Sequence, residues 1–500
     1  MQVHEKRHTK RAGVAGIALR ARRKQAYINN VNTAFSWKKM ETINVTQEEI
    51  STILLRKEDH FNDFKSKEIS AAKLQECFVA FANSDGGELF VGIEDSSSNR
   101  ERVNGFKEPE NANQIISILL ENTNPAVENV TIEFLLFNNN YILHIDIPKS
   151  PKVHYTSANE CFIRINAQKL KIKGERILQL AYSKGAEPYE KKAMDILEQN
   201  EIIQSPHFIY YMNRVKSSIP PLIFLKKQRL VTRKDNNFHP NVGCILLFDD
   251  EPQATMDTRC AVKIYRLRTT EKEYKREQLE ETPVTINGTL ENVIEKTIKK
   301  VKEYIDGASF KDGEQLVKLS YPPEALKEIL VNAVIHRDYS LNDDIHVKVY
   351  DNRIEVVSPG RLPGYMTIDN LYEERFSRNP NVVRMLHNLP NPVNHDIGEG
   401  LDTAKNELKK AGLVAPVFEE RENAFIVTIK HQTIASIEDV IISYFVENPD
   451  GQITNKLARQ LSGEDDLQKV KKALQKLRGD GVIKLLDENA HAFQYKYIKA

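Results

Sequence analysis

Residues 80–95 read Ala80-Phe81-Ala82-Asn83-Ser84-Asp85-Gly86-Gly87-Glu88-Leu89-Phe90-Val91-Gly92-Ile93-Glu94-Asp95. The stretch changes period in its middle. Up to Ala82, the residues Leu74, Cys77, Phe78, Phe81 and Ala82 recur at helical spacing, which predicts an amphipathic helix over 69–82. Gly86-Gly87 stops it, and 88–93 alternates as a strand. Upstream, Thr46 caps a predicted helix with Glu48 and Glu49 in its first turn. Downstream, β runs at 131–137 and 141–147 flank Asn138-Asn139-Asn140, a turn that tolerates left-handed backbone, and 161–165 reads as a further strand. Together these predict an α+β domain over 45–185.

The grammar then shifts. Residues 186–320 read as a connecting α/β region, with a buried-looking strand at 241–248 and a charged helix at 290–305. Pro322-Pro323 opens a helix over 324–336. Strands at 345–350 and 353–357 turn at Asp351-Asn352, loops rich in Gly, Pro and Asn fill 358–399, and 400–412 is helical again, giving a domain over 321–433. The last stretch, 434–500, reads as helices at 437–445, 455–461 (capped by Thr454) and 465–478, then a hairpin of 482–486 with 493–498. Three helices and a two-stranded wing describe a winged helix-turn-helix. Its third helix carries Lys469, Lys471, Lys472, Lys476 and Arg478, which suits phosphate contact, with Gln468 and Gln475 as the nearby base-reading candidates. A protein–protein role with a solvated basic face is the competing reading.

At 500 residues the chain is too long for one core, and 40% hydrophobic with 28% charged residues is an ordinary soluble composition. No apolar run is long enough to span a bilayer, so no membrane partner is expected. Cys77, Cys161, Cys244 and Cys260 form no CxxC pair and read as buried thiols of a reducing, cytoplasmic compartment rather than disulfides or zinc ligands. The net charge of +1 hides a basic arm: residues 1–39 carry ten Lys or Arg against Glu5 alone. Residues 1–44 read as a basic, disordered extension. It either attracts phosphates or is added sequence ahead of a natural start at Met40; a transit peptide is the weaker alternative.

The acids flanking the Gly-Gly strand are candidates for phosphodiester chemistry. Two or three carboxylates can hold Mg²⁺ or Mn²⁺ through oxygen while leaving positions for water, and Lys65 could neutralise charge on a phosphate. The plain alternative is that Glu58 and Asp63 are surface acids, Asp95 a strand-end turn residue and Gly86-Gly87 merely a tight turn. In the second domain, Glu328 and Asn332 stand four apart on one helical face that His336 continues. His336 could equally be a structural side chain partnered by Asp338.

The strings KEDHFNDFKSKEI (57–69) and AFANSDGGELFVGIED (80–95) resemble the Schlafen-type AlbA-like domain over about residues 50–180. Asn104-Gly105 and Phe162-Ile163-Arg164 also fit. The resemblance implies a nuclease site at Glu58, Asp63 and Asp95 with a Mg²⁺ or Mn²⁺ ion, with Lys65 and Arg164 beside the phosphate. The family usually has Glu where this chain has Asp63, and the shorter side chain puts the metal geometry in doubt. ALKEILVNAVIHRDYS, IHVKVYDNRIEVVSPGRLP, RFSRNPNVVRML and DIGEGL resemble the divergent GHKL-type ATP-binding module that often follows that domain. This implies ATP at Glu328, Asn332 (holding Mg²⁺), His336, Arg337, Arg378, Asn379, Gly398 and Gly400. Ser358 stands where typical GHKL proteins place the adenine-reading Asp.

The resulting expectation is an α+β multidomain protein: an AlbA-like α/β domain, a GHKL-like ATP-binding α/β sandwich and a C-terminal winged helix. Its expected activity is that of a nucleotide-regulated, metal-dependent nuclease on RNA (tRNA included) or single-stranded DNA, with a role in phage defence and assembly into a dimer or larger homo-oligomer. The competing expectation is an ATP-binding transcriptional regulator that binds DNA without cleaving it.

Overall fold

The computed structural model describes residues 40–95, 101–235, 237–307, 309–312, 315–393, 400–431, 437–449, 451–462, 466–487 and 495–500. The basic arm therefore lies outside the described residues, as do Gly398 and Glu399. The architecture is mixed α/β with several sheets.

The first unit is built on the change of period around Gly86-Gly87. Ser70 caps the helix Ala71–Asn83, whose Leu74, Phe78, Phe81 and Ala82 are buried. The chain turns through two glycines at positive φ into the strand Gly87–Val91. A Cβ on Gly86 would lie 2.5 Å from the carbonyl oxygen of Ile147, so only glycine fits. The strand pairs parallel to Asn62–Lys65 and antiparallel to Asn140–Ile147. That partner forms the expected hairpin with Thr131–Phe137, turning through Asn138 and Asn139, both at positive φ. Glu41–Asn44 adds a fifth, parallel strand. Helices cover this sheet, and the small hairpin Cys161–Ile165 with Gln168–Ile172 lies against Ala71–Asn83.

A six-stranded sheet organises the second unit, in the order Val284–Ile286, Val262–Arg266, Ile345–Val349, Arg353–Pro359, Ala424–Lys430, Val417–Arg421. Two of these strands come from ahead of residue 320. The segment expected to be a connector thus supplies sheet and core to the domain that follows it, and one buried cluster runs from Tyr189 to Ile429. The helices Leu290–Asp306, Pro323–Ile335 and Gly400–Lys410 pack together beside the sheet. The run expected as a strand at 241–248 is instead the helix Val242–Phe248, capped by the Asn241 side chain. Every residue of it is buried, so it shows no amphipathic stripe, and a short apolar run of this kind does not distinguish strand from helix.

The last unit has its own core of Ile441, Phe445, Ile453, Val470, Leu474, Leu477 and Tyr497. Helices Ile437–Glu447, Asn455–Ser462 and Leu467–Gly479 precede a hairpin of Ile483–Leu485 with Tyr497–Lys499. All four cysteines are buried and unbridged. No helix among the described residues is long and apolar enough to cross a membrane.

Candidate functional sites

The strand Asn62–Lys65 sends Asp63 into the first unit, where it is 2% exposed. Arg164, buried on the small hairpin, donates to Asp63 Oδ2 from Nη1 at 3.1 Å and holds the carbonyls of Asp59 and Asn62 with its remaining N–H groups. Its guanidinium lies 4.3 Å from the centre of the Phe81 ring. The Lys65 ammonium ion-pairs with Asp63 and reaches Glu58 Oε1 at 3.2 Å. Glu58 and Asp63 share the Lys65 ammonium and titrate as a pair, their carboxyls shifting in opposite directions. Burial, then the bond to Asp63, raises the Glu58 carboxyl above its ordinary range. Burial opposes charge on Asp63 as well, but the Glu58 hydrogen bond and the cations of Lys65 and Arg164 outweigh it and lower its pKa.

Asp95 lies exposed just past the Gly87–Val91 strand. Among the described residues, no group of three or more His, Cys, Asp or Glu side chains is placed to hold a metal ion. Lys65 fills the cation position between Glu58 and Asp63. The donors assembled here do not fit Mg²⁺ or Mn²⁺ as they stand, and no step is derived through one. Glu94, which sequence reasoning passed over, is buried and accepts from Ser66 Oγ at 2.8 Å and Asn104 Nδ2 at 3.1 Å. His144 is another residue missed. It is buried between Glu133 at 2.9 Å and Glu88 at 3.3 Å, and these bonds outweigh burial to raise its pKa. The Asn83 amide ties the helix end to the carbonyls of His154 and Phe162, a structural role.

The second site is a cavity of about 340 Å³ in the six-stranded unit. Glu328, Asn332 and His336 line it from the helix Pro323–Ile335 and its C-cap, Ser358 from the sheet, Arg378 from a loop and Gly400 from a helix start. Apolar Leu362, Met366, Leu371 and Phe425 supply much of the remaining wall. Gly400 lets its helix approach closely: a Cβ there would lie 3.2 Å from Asn332 Nδ2. Several buried lining atoms have no hydrogen-bond partner among the described residues, namely His336 Nδ1, Arg361 Nε, Ser377 Oγ and Arg378 Nε. Buried polar atoms are rarely left in this state unless a ligand or water completes them, so the lining fits a ligand rich in acceptors and donors. Burial, then the nearby Arg378 charge, lowers the His336 pKa to about 4, which keeps the imidazole neutral.

Not every expected residue meets the cavity. Arg337 is fully buried, and its Nη2 donates to the carbonyls of Arg259 and Leu341. Asn379 donates to the carbonyls of Ile335 and Arg337. Both hold loops rather than line the space. Asp338 accepts from Ser340 and does not partner His336. Arg361, Met366 and Phe376 line the cavity and were missed, because nothing in the local pattern of a Gly- and Pro-rich loop tells which side chains turn inward.

Fold and sites together describe an α+β protein that joins a carboxylate–lysine cluster in one unit to a ligand-sized cavity in the next. Residues 58–173 match the family model "Schlafen, AlbA_2", and residues 342–429 match the model "Putative ATP-dependent DNA helicase recG C-terminal". The chain thus carries a Schlafen AlbA_2 domain and an ATPase-like domain. No curated relative matches it. A crystal structure of the DIP2311 protein from Corynebacterium diphtheriae is similar at 15% identity, covering 88% of this chain and 80% of that one, with a TM-score of 0.39. A likeness that weak carries no argument.

Proposed function

We propose that the chain is an ATP-controlled protein that acts on nucleic acid. The observation that carries this reading is the cavity beneath Gly400, where Glu328 and Asn332 share one helical face and buried polar atoms await partners. The apolar wall suits a base, and Asn332 with Glu328 suits the Mg²⁺-bound phosphates and the attacking water. The match to an ATPase-like domain supports the same assignment.

In the AlbA_2 domain, the polyanion meets Lys65 and the Glu58–Asp63 pair. We propose cleavage of RNA (tRNA included) or single-stranded DNA there, with Glu58, Asp63 and Lys65 as the groups that meet the scissile phosphate. What supports cleavage is the division of labour within the pair. The raised pKa of Glu58 favours its acid form, the one that can give a proton to a leaving oxygen, and Lys65 beside it can neutralise a phosphate. The last unit serves as a winged helix whose exposed lysines hold the backbone. Homo-oligomeric assembly, a cytoplasmic setting and phage defence belong to the same proposal.

A second reading, a transcriptional regulator that binds DNA without cutting it, has its own observation. Arg164 and Lys65 already neutralise Asp63, and the described residues hold no three-acid metal group. Labelled tRNA, single-stranded DNA and duplex DNA incubated with Mn²⁺, with and without ATP, beside Asp63→Asn and Asp95→Ala separate the two. Cleavage lost in both variants supports the nuclease; tight binding with no product in any metal supports the regulator.

A further inference from the structure

A charged contact between the two units begins at the cavity and leads toward the AlbA_2 site. Arg361 lines the cavity, yet its guanidinium grips Asp85 on the other domain through two 3.0 Å hydrogen bonds, Nη1 to Oδ2 and Nη2 to Oδ1. Nη2 also reaches Glu420 Oε2 at 3.1 Å, while Nε is buried without a partner among the described residues. Asp85 follows the helix Ala71–Asn83 and is also held by His60 at 2.6 Å, with Lys149 at 3.7 Å. Its neighbour Ser84 is bonded to the backbone of Arg164 in both directions: Oγ accepts from N at 2.8 Å and donates to O at 3.3 Å. Arg164 in turn holds Asp63. A path therefore runs from the cavity to Asp63: polar contacts join Arg361 to Asp85, the peptide chain joins Asp85 to Ser84, and polar contacts join Ser84 to Arg164 and Arg164 to Asp63.

We propose that Arg361 is the residue through which cavity occupancy is communicated to the nucleic-acid site: an anionic phosphate chain in the cavity draws its guanidinium away from Asp85. This rests on the reading of the cavity as a nucleotide site and adds the route of regulation. A guanidinium exchanges carboxylate for phosphate partners readily, because both present paired oxygens to its planar fork. Arg361 is poised for that exchange. It is half-buried at the cavity wall, divided between two carboxylates, and has one N–H unused. Once Asp85 is released, His60 and Lys149 remain its partners, and the turn that positions Arg164 relaxes with it. Other contacts keep the domains docked while this happens. Lys149 Nζ donates to the carbonyls of Leu362 and Met366, and Gly364 N donates to the carbonyl of Lys184. The loop can thus shift at Arg361 without the interface coming apart. Coupling of this kind is reciprocal, so nucleic acid on the AlbA_2 domain changes nucleotide affinity by the same factor.

The test uses the full chain, MgATP and a fluorescently labelled single-stranded oligonucleotide. In the wild type, saturating MgATP changes the oligonucleotide Kd by about fivefold or more, within the usual range of allosteric coupling. Asp85→Asn binds MgATP more tightly, since Arg361 is freed, and the change in oligonucleotide Kd collapses. Ser84→Ala, which removes one half-buried hydroxyl and keeps the test open should Asp85→Asn not fold, binds MgATP as the wild type does and also loses the change. An oligonucleotide Kd unmoved by MgATP in a wild type that binds it overturns the inference, as does full coupling in either folded variant. Absence of MgATP binding by the wild type in calorimetry would instead bring down the nucleotide reading of the cavity, and this inference with it.

Discussion

Gly400 lies over Glu328 so closely that a Cβ on the glycine would stand 2.6 Å from Glu328 Oε2. The contact explains why a helix can start there while Glu328 and Asn332 still face the cavity. It also gives a first prediction. Gly400→Val pushes the helix away from Glu328 or turns the carboxylate aside, at a strain of about 1–3 kcal/mol. If half of that falls on the bound state, MgATP affinity drops about two- to twelvefold. Calorimetric titration of the folded variant checks it, and unchanged affinity would mean that the ligand does not sit beneath Gly400.

The buried neutral imidazole of His336 sets a pH dependence. Its folded pKa of about 4 lies below the ordinary 6.5. Between those values the unfolded chain binds the proton and the folded chain does not, so stability falls as pH drops through that window. A shift of this size is worth at most about 3 kcal/mol. His154, also lowered to about 4 chiefly by burial, acts in the same direction. His336→Gln removes its own contribution and leaves that of His154. Thermal melts from pH 7 to pH 4.5 should show the wild type losing more stability than the variant; parallel curves would show that His336 titrates normally.

The Glu58–Asp63–Lys65 cluster predicts opposite responses from neighbouring residues. Lys65→Ala leaves two neighbouring carboxylates without the ammonium between them, so nucleic-acid affinity falls and the Glu58 pKa rises further. Asp63→Asn removes the charge that Lys65 and Arg164 neutralise, so affinity for the polyanion is kept or rises while any cleavage is lost. Filter binding and gel assays read both. Equal loss of binding in the two variants would mark the cluster as structural alone.

The last unit offers a salt test. Lys469 and Lys472 are exposed on the helix Leu467–Gly479. If they lie on phosphates, replacing both with alanine lowers the slope of log K against log salt by about one per lysine. An unaltered slope would assign that face to protein contacts.

Much of this was legible along the chain, and the reasons differ by element. The helix–Gly-Gly–strand passage could be read because its period changes from helical to alternating and because Gly86 has no room for a side chain. The face shared by Glu328 and Asn332 followed from their spacing alone. The helix Val242–Phe248 was misread because a segment buried on every side carries no period. Arg337 and Asn379 were placed at a ligand by motif, whereas Arg337 Nη2 and Asn379 Nδ2 donate to backbone carbonyls and neither residue lines the cavity. The Arg361–Asp85 contact could not be foreseen, since 276 residues separate its ends and neither lies in a periodic segment.

The most direct test of ATP control is a calorimetric titration of MgATP into the wild type and Asn332→Ala. The account predicts saturable binding at one site per chain in the wild type and loss of it in the variant, both proteins melting as folded chains. Equal affinity in the two, or no binding by the wild type, would contradict it.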